Sequence, residues 1–325
     1  MKSNLLNSCE QLVQQRDILK RVFRFGHEDL YSISAFLLLK SDHVITEDEL
    51  TAARELLKKR TGIFSHFRSI MVMPASCYLA LHQNDPAYLD QVLELYSRLK
   101  KNFRSSDYTA MLSLILPDLE DVENLMERGQ RLYKLMNHEH PFLTSSEDRP
   151  AAVLMAASEK TDDQLISDME SAYRRMKDSL SFADSNGLQS LAQLVAGGDS
   201  LRAVDRVLQI RDGLEAAGRK YAKGFELTAL GALGLSDLDV QEIVTDILDA
   251  DSYLQGVKGY GVLGFSAKRR LMHAAMLVSA SHKNADSDAY MLSSTISEII
   301  TQNAMVCCVV ASCAVSSSSS SSSNS

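Results

Sequence analysis

The run Thr161-Asp162-Asp163-Gln164-Leu165-Ile166-Ser167-Asp168-Met169-Glu170-Ser171-Ala172-Tyr173-Arg174-Arg175-Met176 decides the fold class. Leu165, Ile166, Met169, Ala172, Tyr173 and Met176 recur at i, i+3, i+4 and i+7, the spacing that puts side chains on one stripe of a helix. Thr161 with Gln164 fits the capping box, in which each side chain satisfies the other's backbone N–H. The spacing predicts an amphipathic helix over 161–179.

The end of that helix is repeated along the chain. Tyr96-Ser97-Arg98-Leu99, Tyr133-Lys134-Leu135-Met136, Tyr173-Arg174-Arg175-Met176, then Leu214 and Tyr253 stand 37, 40, 41 and 39 residues apart. Amphipathic segments cover 47–60, 87–102, 119–136, 161–179, 201–218 and 240–255. Segments of small apolar residues alternate with them at 31–39, 74–81, 108–116, 150–157, 188–196, 226–233 and 271–280. Thr46 with Glu49 is a second capping box, and Asp85-Pro86 offers an N-cap followed by proline at the first helical position. Alternating β-branched runs are scarce, so little or no sheet is expected. A helix pair about every 40 residues describes an all-α, α-solenoid-like stack of the HEAT or armadillo kind, in which no unit buries its apolar face alone. The expected organisation is one helical-repeat domain over 1–315. Capping helices are expected at 5–24 and 286–315, followed by a disordered Ser-rich tail at 316–325. If the array divides, it divides near 138–150, where His138-Glu139-His140-Pro141 and Ser145-Ser146-Glu147-Asp148 read as loop. All five prolines precede residue 151, while 12 of 15 glycines follow it, so the two halves turn by different means.

Composition narrows the function classes. The 325 residues are 45% hydrophobic and 23% charged, a soluble globular balance. Thirty-four basic against 42 acidic side chains give a net charge of −8, and tryptophan is absent, which argues against nucleic acid as partner. Neither a signal-peptide pattern nor a stretch long enough to span a bilayer is apparent, so a cytoplasmic protein without membrane partners is expected. Cys9, Cys77, Cys307, Cys308 and Cys313 form no disulfide ladder and no CxxC pair for zinc.

Few motifs carry chemistry. Gly259-Tyr260-Gly261-Val262-Leu263-Gly264 is a literal GxGxxG, but it follows a helix, whereas dinucleotide binding needs a preceding strand. It reads as an inter-helix loop, with an anion contact at the next helix start as the minor alternative. His138 and His140 lack a third metal ligand by spacing, and His273 reads as a core histidine. No metal and no cofactor is expected. The loops entering the small-residue helices pair an aromatic with a base: Phe67-Arg68, Phe103-Arg104, Phe142 ahead of Arg149, and Tyr221 with Lys223, while Phe182 continues the series without a base. Two readings stand. The aromatics plug seams between units, or these eight residues form a ridge that binds an acidic or extended partner.

Leu56-Leu57-Lys58-Lys59-Arg60-Thr61-Gly62-Ile63-Phe64-Ser65, the following Phe67-Arg68, and the Ala/Cys/Val-rich then serine-rich end resemble a bacterial family, mostly from Firmicutes, known as domain of unknown function 4003. The similarity runs over nearly the whole chain. It implies a bacterial, cytoplasmic protein and brings no activity, ligand or catalytic residue. The functional expectation is therefore a non-enzymatic helical-repeat protein that binds another protein or peptide. The competing one is an enzyme or small-molecule binder whose pocket lies inside the helical array.

Overall fold

A computed structural model describes residues 1–282 except 25, 27, 40, 42, 140–143, 145–147, 262 and 263. The described residues form fourteen α-helices and no strand, as the all-α expectation requires. The expected C-terminal cap at 286–315, the serine tail and the last three cysteines lie outside the described residues.

Contacts gather the helices into two compact units. The first holds α1 (Ser3–Val22) from Gln11 onward, α2 (Glu28–Leu38), α3 (Glu47–Arg60), α4 (Val72–Leu81), α5 (Pro86–Asn102), α6 (Asp107–Ile115), α7 (Val122–Glu139) up to Gln130, and 148–150. Here α2 packs on α4 and α4 on α6, while α3 and α5 lie against α4 and α6. α4 is buried almost all round, and its Ala75, Ser76, Cys77 and Ala80 allow close approach. α3 buries only the stripe Leu50, Ala53 and Leu57 and turns its charges to water. Burial of each large side chain of this kind stabilises by roughly 1.5–3 kcal/mol.

The second unit holds residues 1–10, α7 from Arg131, and the chain from 151 through α9 (Asp162–Ser179), α10 (Ser185–Val195), α11 (Ser200–Ala216), α12 (Gly231–Leu235), α13 (Val240–Gln255) and α14 (Ala267–Ser281). α8 (Asp148–Met155) begins in the first unit and ends in the second. α9 packs on α11 and α11 on α13. α10, the 3-10 segment Phe225–Leu230 and α14 form the corresponding small-residue series.

The start signals read from the sequence are all in place. Both capping boxes form, Thr46 with Glu49 and Thr161 with Gln164, and Asp85 caps α5 ahead of Pro86. Successive amphipathic helices are tied by an arginine reaching an acid of the next one. In the first unit the pairs are Arg21–Glu47, Arg60–Asp90 (2.9 Å) and Arg98–Glu123. In the second they are Arg131–Asp162 (3.3 Å), Arg175–Asp205 (2.9 Å) and, to the residue two before the α13 cap, Arg202–Asp237 (2.6 Å).

Two expectations are corrected. The helix expected at 226–233 is a 3-10 turn followed by the five-residue α12. Gly231 and Gly234 weaken an α-helix there by about 1 kcal/mol each, and a side chain at Gly231 would collide with Leu194 of α10. His138 and Glu139, read as loop, form the last turn of α7, two residues beyond the buried Met136. Residues 1–10, which include the start of α1, belong with α13 and α14. Lys2 pairs with Glu242 and, at 2.8 Å, with the buried Asp246, and Asn4 Nδ2 donates to the Ser281 carbonyl.

Candidate binding edge

The amphipathic helices of the first unit end in bases, Lys58-Lys59-Arg60 on α3 and Lys100-Lys101 on α5, where positive charge complements the helix dipole. The loops that follow lie side by side. Asp107, the first residue of α6, accepts hydrogen bonds from His66 Nδ1 at 2.8 Å and Ser69 Oγ at 3.2 Å. Phe67 meets Tyr96 edge-on at 5.1 Å, and Lys100 Nζ lies 4.8 Å from the centre of the Tyr96 ring. The Arg149 guanidinium stands 5.7 Å over Phe103.

This arrangement places the expected residues as follows. Phe67 and Phe103 are buried. Arg68 is half-buried and donates to the Thr61 carbonyl at 3.4 Å, whereas Arg104 is exposed. Phe142 lies outside the described residues. Phe67 and Arg68 in the His66–Arg68 turn, Phe103 and Arg104 between α5 and α6, and Arg149 in the first turn of α8 over Phe103 thus all lie in the first unit. In the second unit Tyr221 is buried, its hydroxyl donates to the Glu226 carbonyl at 3.0 Å, and burial pushes its phenol well up. The exposed Lys223 donates from Nζ to the Ser181 carbonyl at 2.9 Å, and its own carbonyl accepts from Asp184 N–H. In both units the aromatics among these residues face inward and the bases border them.

Two residues outside those eight stand out in the first unit. Ile63 is 71% and Phe64 95% exposed, side by side in the loop between α3 and the His66–Arg68 turn. A Cβ placed on the neighbouring Gly62 would meet nothing within 4 Å. Large apolar side chains left so exposed mark interaction surfaces when they adjoin one another, not when single. The signal was present in the sequence: Ile63-Phe64 belongs to no helical stripe and follows three bases and a glycine. Phe182 is likewise fully exposed, with φ +59° in the left-handed region that non-glycine residues rarely adopt.

The remaining motifs are structural. Gly259 has φ +96°, Phe265 N–H donates to its carbonyl at 2.9 Å, and a side chain on Gly264 would strike that carbonyl. Tyr260 is fully buried and 2.8 Å from His273 Nδ1. The glycines Gly259 and Gly264 thus belong to a folded inter-helix turn with His273 in the core beside it, and Val262 and Leu263 lie outside the described residues. An open groove of about 770 Å³ lies along α11 and the start of α13, lined among others by Arg206, Asp212, Asp237, Leu238, Asp239 and Val240. The Arg206 guanidinium donates there to the carbonyls of Gly234 (3.1 Å) and Leu238 (2.5 Å). Among the described residues no group of three His, Cys, Asp or Glu could hold a metal, and no helix is long and apolar enough to cross a membrane.

A family model described as "Protein of unknown function (DUF4003)" matches residues 17–312, so the chain belongs to that family. No curated protein and no solved structure matches the chain.

Proposed function

We propose that this member of the DUF4003 family is a non-enzymatic, cytoplasmic helical-repeat protein that holds another protein or peptide on its loop edge. The observation that carries the reading is the adjacent exposure of Ile63 and Phe64 beside Lys58, Lys59 and Arg60. Interface hot spots are apolar or aromatic side chains that fill a partner's pocket, bordered by polar groups that fix orientation. Arg68, Arg104 and Arg149 extend the basic border, with Phe67 and Phe103 as the buried support beneath it. Tyr221 and Lys223 have the same roles in the second unit. The helical-repeat part rests on the period near 40, on alternate helices packing within each unit, and on the Arg–acid pairs between successive amphipathic helices.

The competing reading, an enzyme or small-molecule binder, would use the groove along α11. That groove is open rather than enclosed, and its one lining arginine already serves two carbonyls. Ligand sites usually bury most of the ligand, so the groove favours this reading less than the edge favours the first.

The test is purification of the tagged chain from its native cell, with identification of co-purifying proteins and small molecules. Three forms are compared: wild type, Ile63→Ser/Phe64→Ser, and Arg68→Glu/Arg104→Glu. A protein companion lost from the first variant and reduced in the second supports the edge. A companion retained by both sinks it, and a retained metabolite without a protein companion moves the function to the groove.

A further inference from the structure

The same chain displays both halves of a complementary contact, an exposed apolar tip beside Lys59 and a groove with carbon lining bordered by the exposed Asp212. The tip is Ile63-Phe64, preceded by the last turn of α3, where Lys58 pairs with Glu55, Arg60 pairs with Asp90 and Lys59 is exposed. The groove lies on the second unit. Asp212 stands exposed on its border, Asp237 is paired with Arg202, Asp239 caps α13 and Arg206 lies among them, while Ala216, Leu238 and Val240 supply carbon surface. Its volume of about 770 Å³ is within the range of roughly 300–1,000 Å³ that receives compact groups, ample for two side chains. Asp212 and Ala216 are exposed on the last turns of α11, so nothing in the described unit covers that border.

We infer that the partner received by the Ile63–Phe64 tip includes a second copy of this chain, whose α11–α13 groove takes the tip. This rests on the protein-binding reading above and gives its partner an identity. The contact is heterologous, since tip and groove are different surfaces, and each copy offers one of each. Phe64 fills the carbon-lined part, and Lys59 faces the Asp212 side. Opposite charges around a buried aromatic fix orientation and disfavour the reverse pairing. The chain's net charge of −8 makes copies repel at long range, so association depends on this local match.

Heterology gives the test its form. Purified full-length chain is followed by sedimentation velocity up to about 200 µM, a range that reveals the weak end of specific association. Wild type is expected to associate with rising concentration. Phe64→Ser, which removes an exposed side chain, weakens association at least tenfold, and so does Asp212→Lys or the groove-filling Ala216→Trp. An equimolar mixture of Phe64→Ser and Asp212→Lys then forms a 1:1 complex, because one copy keeps its groove and the other its tip. A mixture that stays monomeric while wild type associates overturns the tip-and-groove contact. Wild type that is monomeric throughout also overturns it. If a different companion still depends on Ile63 and Phe64, the protein-binding reading stands without self-association.

Discussion

Asp251 shows how much a single buried charge holds in this fold. Its carboxylate is fully buried and accepts from Arg270 Nε at 2.6 Å and Arg219 Nε at 3.1 Å. Arg270, itself mostly buried, also donates to the Tyr260 carbonyl at 3.3 Å, so α13, the glycine turn and α14 meet on one carboxylate. Asp251→Ala leaves Arg270 without its counter-charge and is expected to cost about 3–5 kcal/mol, read by urea unfolding. A loss below about 1 kcal/mol, the range of exposed pairs, would contradict this account. The described cysteines give a second residue-level prediction. Burial, helped by the Glu10 charge, pushes the Cys9 thiol up to about 12, and burial pushes Cys77 up as well. An acid whose pKa is raised by folding keeps its proton in the native state after the unfolded chain has lost it. Stability therefore falls as pH rises above the unfolded thiol value of about 8.5, until the native thiol ionises. Cys9→Ala, measured by urea unfolding across that window, should flatten the decline by up to about 1.4 kcal/mol per pH unit. An unchanged slope would place Cys9 in contact with water.

At the scale of elements, local chemistry was legible and close approach was not. α3 and α13 begin and end where stripe and cap place them, and α9 begins just after its cap at Thr161. Thr161→Ala removes the acceptor for Gln164 N–H and is expected to cost about 1 kcal/mol. Gln164→Glu keeps the box and should cost less, both read as shifts in denaturation midpoint. The helix expected at 226–233 differs from the observed 3-10 turn and α12 because its apolar residues suit a helix, while Gly231 answers to Leu194 of α10, a neighbour that is distant in sequence. Gly187 of α10 shows the same constraint: a methyl there would overlap the Gly224 carbonyl carbon and sit 2.8 Å from Phe225 N. Backbone cannot rotate aside as a side chain can, so Gly187→Ala is expected to cost about 1–3 kcal/mol despite Ala's better helix propensity. A stabilised variant would show that α10 and the chain at Gly224-Phe225 do not meet this closely. The candidate edge divides along the same line. The aromatic-plus-base pattern points to these segments, but whether Phe67 or Phe64 turns outward depends on Tyr96 of α5, which no local pattern reports.

At the scale of the whole molecule, the period near 40 predicts neighbour-on-neighbour packing, and within each unit an arginine of one amphipathic helix reaches an acid of the next, as a ladder. Most of the ladder's side chains are substantially exposed, so each pair contributes only about 0–1 kcal/mol and the ladder sets register more than stability. A repeat cannot announce contacts between residues two hundred or more positions apart, because any amphipathic face fits another equally well in a one-dimensional pattern. The packing of residues 1–10 in the second unit is of that kind. Leu5 and Cys9 are buried there, burial aided by the nearby Glu10 charge pushes the phenol of Tyr253 on α13 up, and Asn4 binds the α14 end. Leu5→Ala removes a buried side chain and is expected to cost about 2–5 kcal/mol. If residues 1–10 cover α13 and α14, the loss has an address. Hydrogen exchange in Leu5→Ala should accelerate in the last two turns of α13 and throughout α14, and should leave α3 to α6 unchanged. Acceleration spread evenly over the chain would mean that Leu5 supports global folding only. No acceleration in α14 would mean that its amides owe their protection to other neighbours and that the N-terminal segment does not secure it.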